Sequence, residues 1–180
     1  MNRADAFALL SEYTQSRSLI NHMLSVEAAM RAYARNYGED EDKWGIIGLL
    51  HDFDYERWPD PPDHPLKGAA ILKERGYPDE VIYAINSHAD YLPDFPRTHL
   101  VDKALYACDE LTGLITAAAL IRPGGLTDLT ADSVKKKMKS KGFARSIKRE
   151  DVERGAADLG VDLTEHIQFV IDAMKTSAPV

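Results

Sequence analysis

The chain has 180 residues, with 22 Lys and Arg against 29 Asp and Glu, and a formal net charge of −7. That balance argues against general nucleic-acid binding, which needs an excess of phosphate-neutralising cations, but leaves room for a local basic pocket. No run of ~18 apolar residues is available to cross a membrane, the N-terminus lacks the charged-then-apolar layout of a signal peptide, and the one cysteine, Cys108, can form no internal disulfide, so a reducing, cytoplasmic home is expected.

In chain order, Asp5 to Tyr13 reads as a first helix, with Ala6, Leu9 and Leu10 on one side. Ser16 or Ser18 offers an N-cap for a longer helix to about Tyr37, which Gly38 ends. His22 lies in its first half and shares a face with Val26 and Ala29. Asp40 or Asp42 caps a third helix from Trp44, whose residues Ile46, Ile47, Leu49, Leu50 and Phe53 leave no polar face. Such a helix is buried on all sides, yet it runs straight into His51-Asp52. The segment from Trp58 to His64 is too rich in proline to continue it.

A fourth helix starts at Pro65 and stops before Gly76, with His64 at its N-terminus. Pro78 begins a short helix to about His88, on which Val81, Ile85 and His88 form one stripe. Thr98 or His99 opens a long helix to about Ile121, apolar from Ala104 to Leu120 except for Asp109, Glu110 and a few hydroxyls. After Pro123-Gly124-Gly125, Thr130 caps a basic helix carrying Lys135, Lys136 and Lys137. Asp151 to Leu159 forms a short helix, and Asp162 with Glu165 makes a capping box for the last one. No segment alternates with period two, so the expected class is all-α, about eight to nine helices. The expected organisation is one helical domain over 1–180, with a core at about 17–120 and a C-terminal extension over 121–180.

Several polar residues are stranded on apolar faces: His22, His51, Asp52, His88 and Asp109. A single such histidine is ordinarily satisfied by a backbone carbonyl. Six candidates, counting His64, are harder to explain that way. Asp109 is the sharpest, because the positions one turn away are Leu105, Tyr106, Thr112 and Gly113, none of them cationic. Imidazole and carboxylate are ligands that suit first-row divalent metals.

The spacing of His22, His51-Asp52 and Asp109 resembles the H…HD…D pattern of the HD-domain metal-dependent phosphohydrolase superfamily. The segment from His64-Pro65 to Gly68 is similar to the corresponding stretch of HDIG-type and HD-GYP domains, although His51-Asp52-Phe53-Asp54 replaces His-Asp-Ile-Gly. Gly76-Tyr77-Pro78 precedes His88 rather than following it and reads as a helix stop, not as a cyclic-dinucleotide signature. Over nearly the full length the likeness is to small bacterial HD-superfamily hydrolases. The resemblance implies an HD-domain helical bundle around one or two divalent ions (Mn, Fe, Mg, Ni, Co or Zn). His22, His51, Asp52 and Asp109 would hold the first ion, and Asp52 would bridge to a second held by His64 and His88.

The expected activity is hydrolysis of a phosphate mono- or diester on a small phosphorylated molecule or nucleotide. Asp52 and Asp54 are candidate catalytic carboxylates, although Asp54 reads more readily as a surface loop residue. Lys67, one turn after His64, is a candidate catalytic and substrate-binding cation. Lys136, Lys137 and Arg145 are candidate phosphate contacts. A di-iron oxygenase would use the same ligands, and a non-catalytic metal- or nucleotide-binding sensor would keep them without turnover. Oligomeric state leaves no mark on the sequence.

Overall fold

A computed structural model describes residues 2–140 and 142–176, which among them form nine helices and no strand. These are α1 (Arg3–Tyr13), α2 (Arg17–Tyr37), α3 (Glu41–Leu50), α4 (Asp63–Glu74), α5 (Asp79–Ser87), α6 (Leu100–Leu120), α7 (Ala131–Met138), α8 (Arg149–Leu159) and α9 (Leu163–Thr176). The all-α expectation holds. Lys141, at the end of the basic run, lies outside the described residues.

The boundaries follow local chemistry. Asn2 caps α1 by accepting from the Asp5 N–H, so that helix starts earlier than its apolar pattern suggests. Ser16 precedes α2, and Gly38 ends it at φ 72°, a left-handed turn. Of the two candidate caps for α3, Asp40 is the one used, accepting from the Lys43 N–H at 3.0 Å. His99, not Thr98, caps α6, in a reciprocal box with Asp102. Glu56 accepts from the N–H groups of Gln15 and Ser16, which ties the turn after α3 to the start of α2.

Trp44 to Leu50 of α3 are all buried, and the helix packs against α1, α2, α5 and α6. The approach of α2 is especially close. A Cβ on Gly48 would meet the Val26–Glu27 backbone at 3.0 Å, so a larger residue would press the two helices apart by a few tenths of an ångström. The same helix pair delivers His22 and His51 to one place. On the far side, α8 packs on α6, and α7 and α9 form a pair, α9 also lying against α2. His166 of α9 ties these layers together: its Nε2–H donates to the Ala107 carbonyl at 2.9 Å, and its Nδ1 accepts from the Tyr33 hydroxyl at 2.5 Å. It is a buried structural histidine.

Candidate metal centre

Six side chains from five helices and their ends converge at the C-terminal end of α3. His22 comes from α2, His51 and Asp52 follow α3, His64 opens α4, His88 caps α5 and Asp109 lies within α6. They fall into two groups that share one residue. Ligand-type atoms of His22, His51, Asp52 and Asp109 all lie within 4.8 Å of one another, and so do those of Asp52, His64 and His88.

The histidines are set in one sense. The Nδ1–H of His51 donates to the Gly48 carbonyl at 2.8 Å, and that of His88 to the Ile85 carbonyl at 2.5 Å. His64 Nδ1–H donates to Asp54 Oδ1 at 2.8 Å. His22 Nδ1 faces the Thr112 hydroxyl at 3.4 Å, and that hydroxyl in turn donates to the Asp109 carbonyl. Each ring is thereby held with its Nε2 directed inward.

Inward lie only acceptors. His51 Nε2 is buried without a hydrogen-bond partner and faces Asp109 Oδ1 at 3.4 Å and Asp52 Oδ2 at 3.5 Å. His22 Nε2 is 3.0 Å from Asp109 Oδ1 and 3.9 Å from Asp52 Oδ2. On the other oxygen, Asp52 Oδ1 is 3.2 Å from His64 Nε2 and 3.4 Å from His88 Nε2, and those two nitrogens are 3.2 Å apart. Lone pairs aimed at lone pairs in a buried site repel unless a cation or a proton lies between them. The donor set therefore fits divalent metal ions.

The electrostatics carry the same message. Burial opposes protonation of His51, but the charges of Asp52 and Asp109 outweigh it and raise the pKa. His64, partly desolvated but bonded to Asp52 and Asp54, is raised to about 9. Burial resists ionisation of Asp52 and Asp109, yet His51 and its neighbours hold both carboxyls below their ordinary range. The cluster attracts positive charge, whether delivered as protons or as metal. Glu110 is pushed the other way, up to about 7, by burial and by the nearby charges of Asp109 and Asp151.

The cluster forms the floor of a cavity of about 700 Å³. Tyr55, Tyr91 and Tyr106 line its walls, and its acidic lining beyond the ligands comprises Asp90, Glu110 and Asp151. One cation, Lys148, joins them, immediately before α8 and 3.9 Å from Asp151. Tyr91 donates its hydroxyl to the His64 carbonyl at 2.7 Å, which braces the second group from above.

Several of the residues expected from sequence lie elsewhere. Asp54 is not a surface loop residue: it is 1% exposed and grips His64 on one oxygen and the Gly68 N–H on the other, at 2.8 Å each. Lys67 is exposed and does not line the cavity. His64 has extended rather than helical backbone (φ −81°, ψ 136°), so helical spacing from it does not carry Lys67 to the site. Lys136, Lys137 and Arg145 do not line the cavity either. Lys136 and Lys137 lie on α7, which packs with α9, and Lys137 lies over the Phe143 ring; Arg145 is exposed in the stretch between α7 and α8. Lys148 was missed because nothing local marks it among the other basic residues. Asp54 carried a readable signal, a second carboxylate two positions after Asp52 in a turn that Phe53 holds in the core.

The HD domain family's sequence profile matches residues 19–114, the span that contains all six residues. The chain belongs to the HD domain family. That places it in a superfamily of metal-dependent hydrolases, as the residue pattern led one to expect. Among characterised proteins it is similar to ribonuclease Y of Desulfotalea psychrophila, 28% identical over 165 residues, covering 89% of this chain and 28% of the relative. Ribonuclease Y of Nitratidesulfovibrio vulgaris is 33% identical over 125 residues, covering 67% of this chain and 22% of that protein. The HD chain thus spans under a third of the length of either relative. No solved structure gave a significant match.

Proposed function

We propose that this HD protein is a metal-dependent phosphohydrolase that cleaves a phosphate mono- or diester of about nucleotide size. The observation that carries the reading is the division of Asp52: one oxygen faces His22 and His51, the other faces His64 and His88. His22, His51, Asp52 and Asp109 would hold one ion, and Asp52 with His64 and His88 would hold a second. When bound, such ions supply Lewis acidity toward a phosphoryl oxygen and lower the pKa of a coordinated water.

The chain's own residues account for the rest. Asp54 keeps the His64 tautomer and orientation that leave Nε2 free to ligate. A cavity of about 700 Å³ is the size of a small-molecule site. Tyr55 and Tyr91 offer ring surface for a base or other flat group, and Lys148 is the one cationic side chain in the lining to meet an anionic oxygen. Glu110 lines the same cavity next to Asp109 and is available for proton exchange. Asp90 and Asp151 of the lining are paired with Arg97 and Arg154, and the ribonuclease Y relatives make short RNA a member of the substrate panel.

The test is phosphate or alcohol release by the metal-loaded chain, using nucleoside monophosphates, cyclic nucleotides, bis(p-nitrophenyl) phosphate and RNA oligonucleotides, with Asp52→Ala as control. Turnover that Asp52→Ala abolishes supports the proposal. Full metal loading without cleavage of any ester would overturn it, and oxygen uptake by the iron-loaded chain would then favour the oxygenase reading.

A further inference from the structure

A second cavity, of about 540 Å³, lies at the N-terminal ends of α3, α5 and α6 and shares no lining residue with the first. Its base is apolar and aromatic: Trp44 and Ile47 of α3, with Tyr83 of α5 and Leu100 of α6 on the walls. Its charge is acidic. Glu39, Asp79, Glu80 and Asp102 face two basic groups, and both of those are engaged: Lys43 with Glu80 at 3.3 Å, and His99 with Asp102 Oδ2 at 3.2 Å.

Asp102 is the decisive residue. It is 1% exposed, and its Oδ2 takes the N–H groups of Thr98 and His99 as well as the His99 ring. Its Oδ1 is buried with no hydrogen-bond partner. Only one oxygen is needed for the capping box, so the second is an unmet acceptor on a carboxylate that lines the cavity. The four carboxylates are not among the groups of described residues close enough together to hold one metal ion. They are spread around an apolar floor, a layout that matches an extended ligand.

We propose that this cavity is a second ligand site, and that it takes a small organic cation: an ammonium, amidinium or guanidinium head on an apolar body. The head meets Asp102 and the acidic rim, and the body covers Tyr83, Leu100 and Val101, with Trp44 and Ile47 buried directly beneath. The site stands apart from the proposed ester cleavage and does not depend on it.

Benzamidine and benzoate test the idea, being nearly the same shape with opposite charge. They are titrated into the full chain carrying Trp58→Phe, which leaves Trp44 as the one indole, so emission reports on this cavity and not on the metal centre. Benzamidine is expected to change Trp44 emission saturably in the millimolar range or tighter, and benzoate to leave it unchanged. Asp102→Asn, which keeps the volume and removes the charge, should weaken benzamidine by about tenfold. Should that variant fail to fold, the exposed pair Glu39→Gln/Glu80→Gln decides, and is expected to weaken binding in the same direction. No saturable response to benzamidine, an equal response to benzoate, or an affinity unmoved by loss of these charges would overturn the proposal.

Discussion

Asp54 shows how much a single buried residue does for the candidate centre. It makes no contact with the first group of ligands, but its two oxygens fix the ring of His64 and the start of the regular part of α4. A Cβ on Gly68 would come within 2.8 Å of that carboxylate, so the pairing also depends on glycine there. Under the proposed two-ion reading, Asp54→Ala is therefore expected to retain about one metal equivalent fewer than the native chain, and to lose turnover. Removing such a supporting contact typically lowers affinity by about 10- to 100-fold. Metal analysis after dialysis checks it, and two retained equivalents would show that His64 needs no such brace. Lys148 makes the complementary prediction at the substrate end. With its side chain 74% exposed and only a long ion pair to Asp151, it has little structural duty. Lys148→Ala should leave the melting temperature unchanged and raise KM by about tenfold with kcat nearly constant, the signature of lost ground-state binding. A fall in kcat at constant KM would instead place Lys148 at the reacting atoms.

At the scale of elements, the site depends on how closely helices can approach. Gly48 lets α3 lie on α2, and Gly155 lets α8 lie on α6. A Cβ at Gly155 would sit 2.7 Å from the Ala107 Cα, which is backbone and cannot rotate aside. Gly155→Ala must push α8 off α6 near the turn that carries Asp109. Overpacking of this kind costs about 1–3 kcal/mol, and each kcal/mol lowers the melting temperature by about 2–4 °C in a chain of this size. Thermal melting measures it, and an unchanged midpoint would mean that the α6–α8 contact is looser than described. Thr14 performs a smaller service by donating its buried hydroxyl to the Phe53 carbonyl at 2.8 Å, which anchors the turn holding Asp52 and Asp54 to the end of α1.

For the molecule as a whole, His166 links stability to pH away from the metal centre. Burial lowers its pKa from the usual 6.5, outweighing the Ala107 carbonyl that favours the charged ring. Below about 6.5 the unfolded chain takes up a proton that the folded chain refuses, so stability falls as pH drops through that range. His166→Gln, which keeps polar partners for Tyr33 and Ala107, should flatten the dependence of melting temperature on pH between about 7.5 and 5.5. An identical slope in native and variant chains would assign the acid sensitivity to other groups. Metal acts through mass action in the opposite direction. An ion at about 100 times its Kd stabilises the fold that binds it by about 2.7 kcal/mol, so addition of Mn²⁺ should raise the melting midpoint, and Asp52→Ala should abolish the rise.

The helical class, most helix ends and the residues that meet at the centre were all legible in the amino-acid order. A helix apolar on every face must be buried, and a His-Asp pair at its end must then find partners. Asp109, alone among apolar neighbours, had to look across the fold for its own. Such arguments need only local periodicity and the high energy of an unpaired buried charge. The cationic residues were not legible in this way. Exposed Lys67, Lys136 and Arg145 satisfy themselves with water wherever the chain turns, and half-buried Lys137 lies over Phe143, so nothing in their spacing fixes where they point. Only the kinked start of α4 turned Lys67 away from the cavity, only the packing of α7 on α9 turned Lys136 and Lys137 away, and only the docking of α8 on α6 brought Lys148 to it. The partnerless oxygen of Asp102 belongs to the same class. A capping box can be read from the order of residues, whereas the cavity behind it exists only where three helix ends meet.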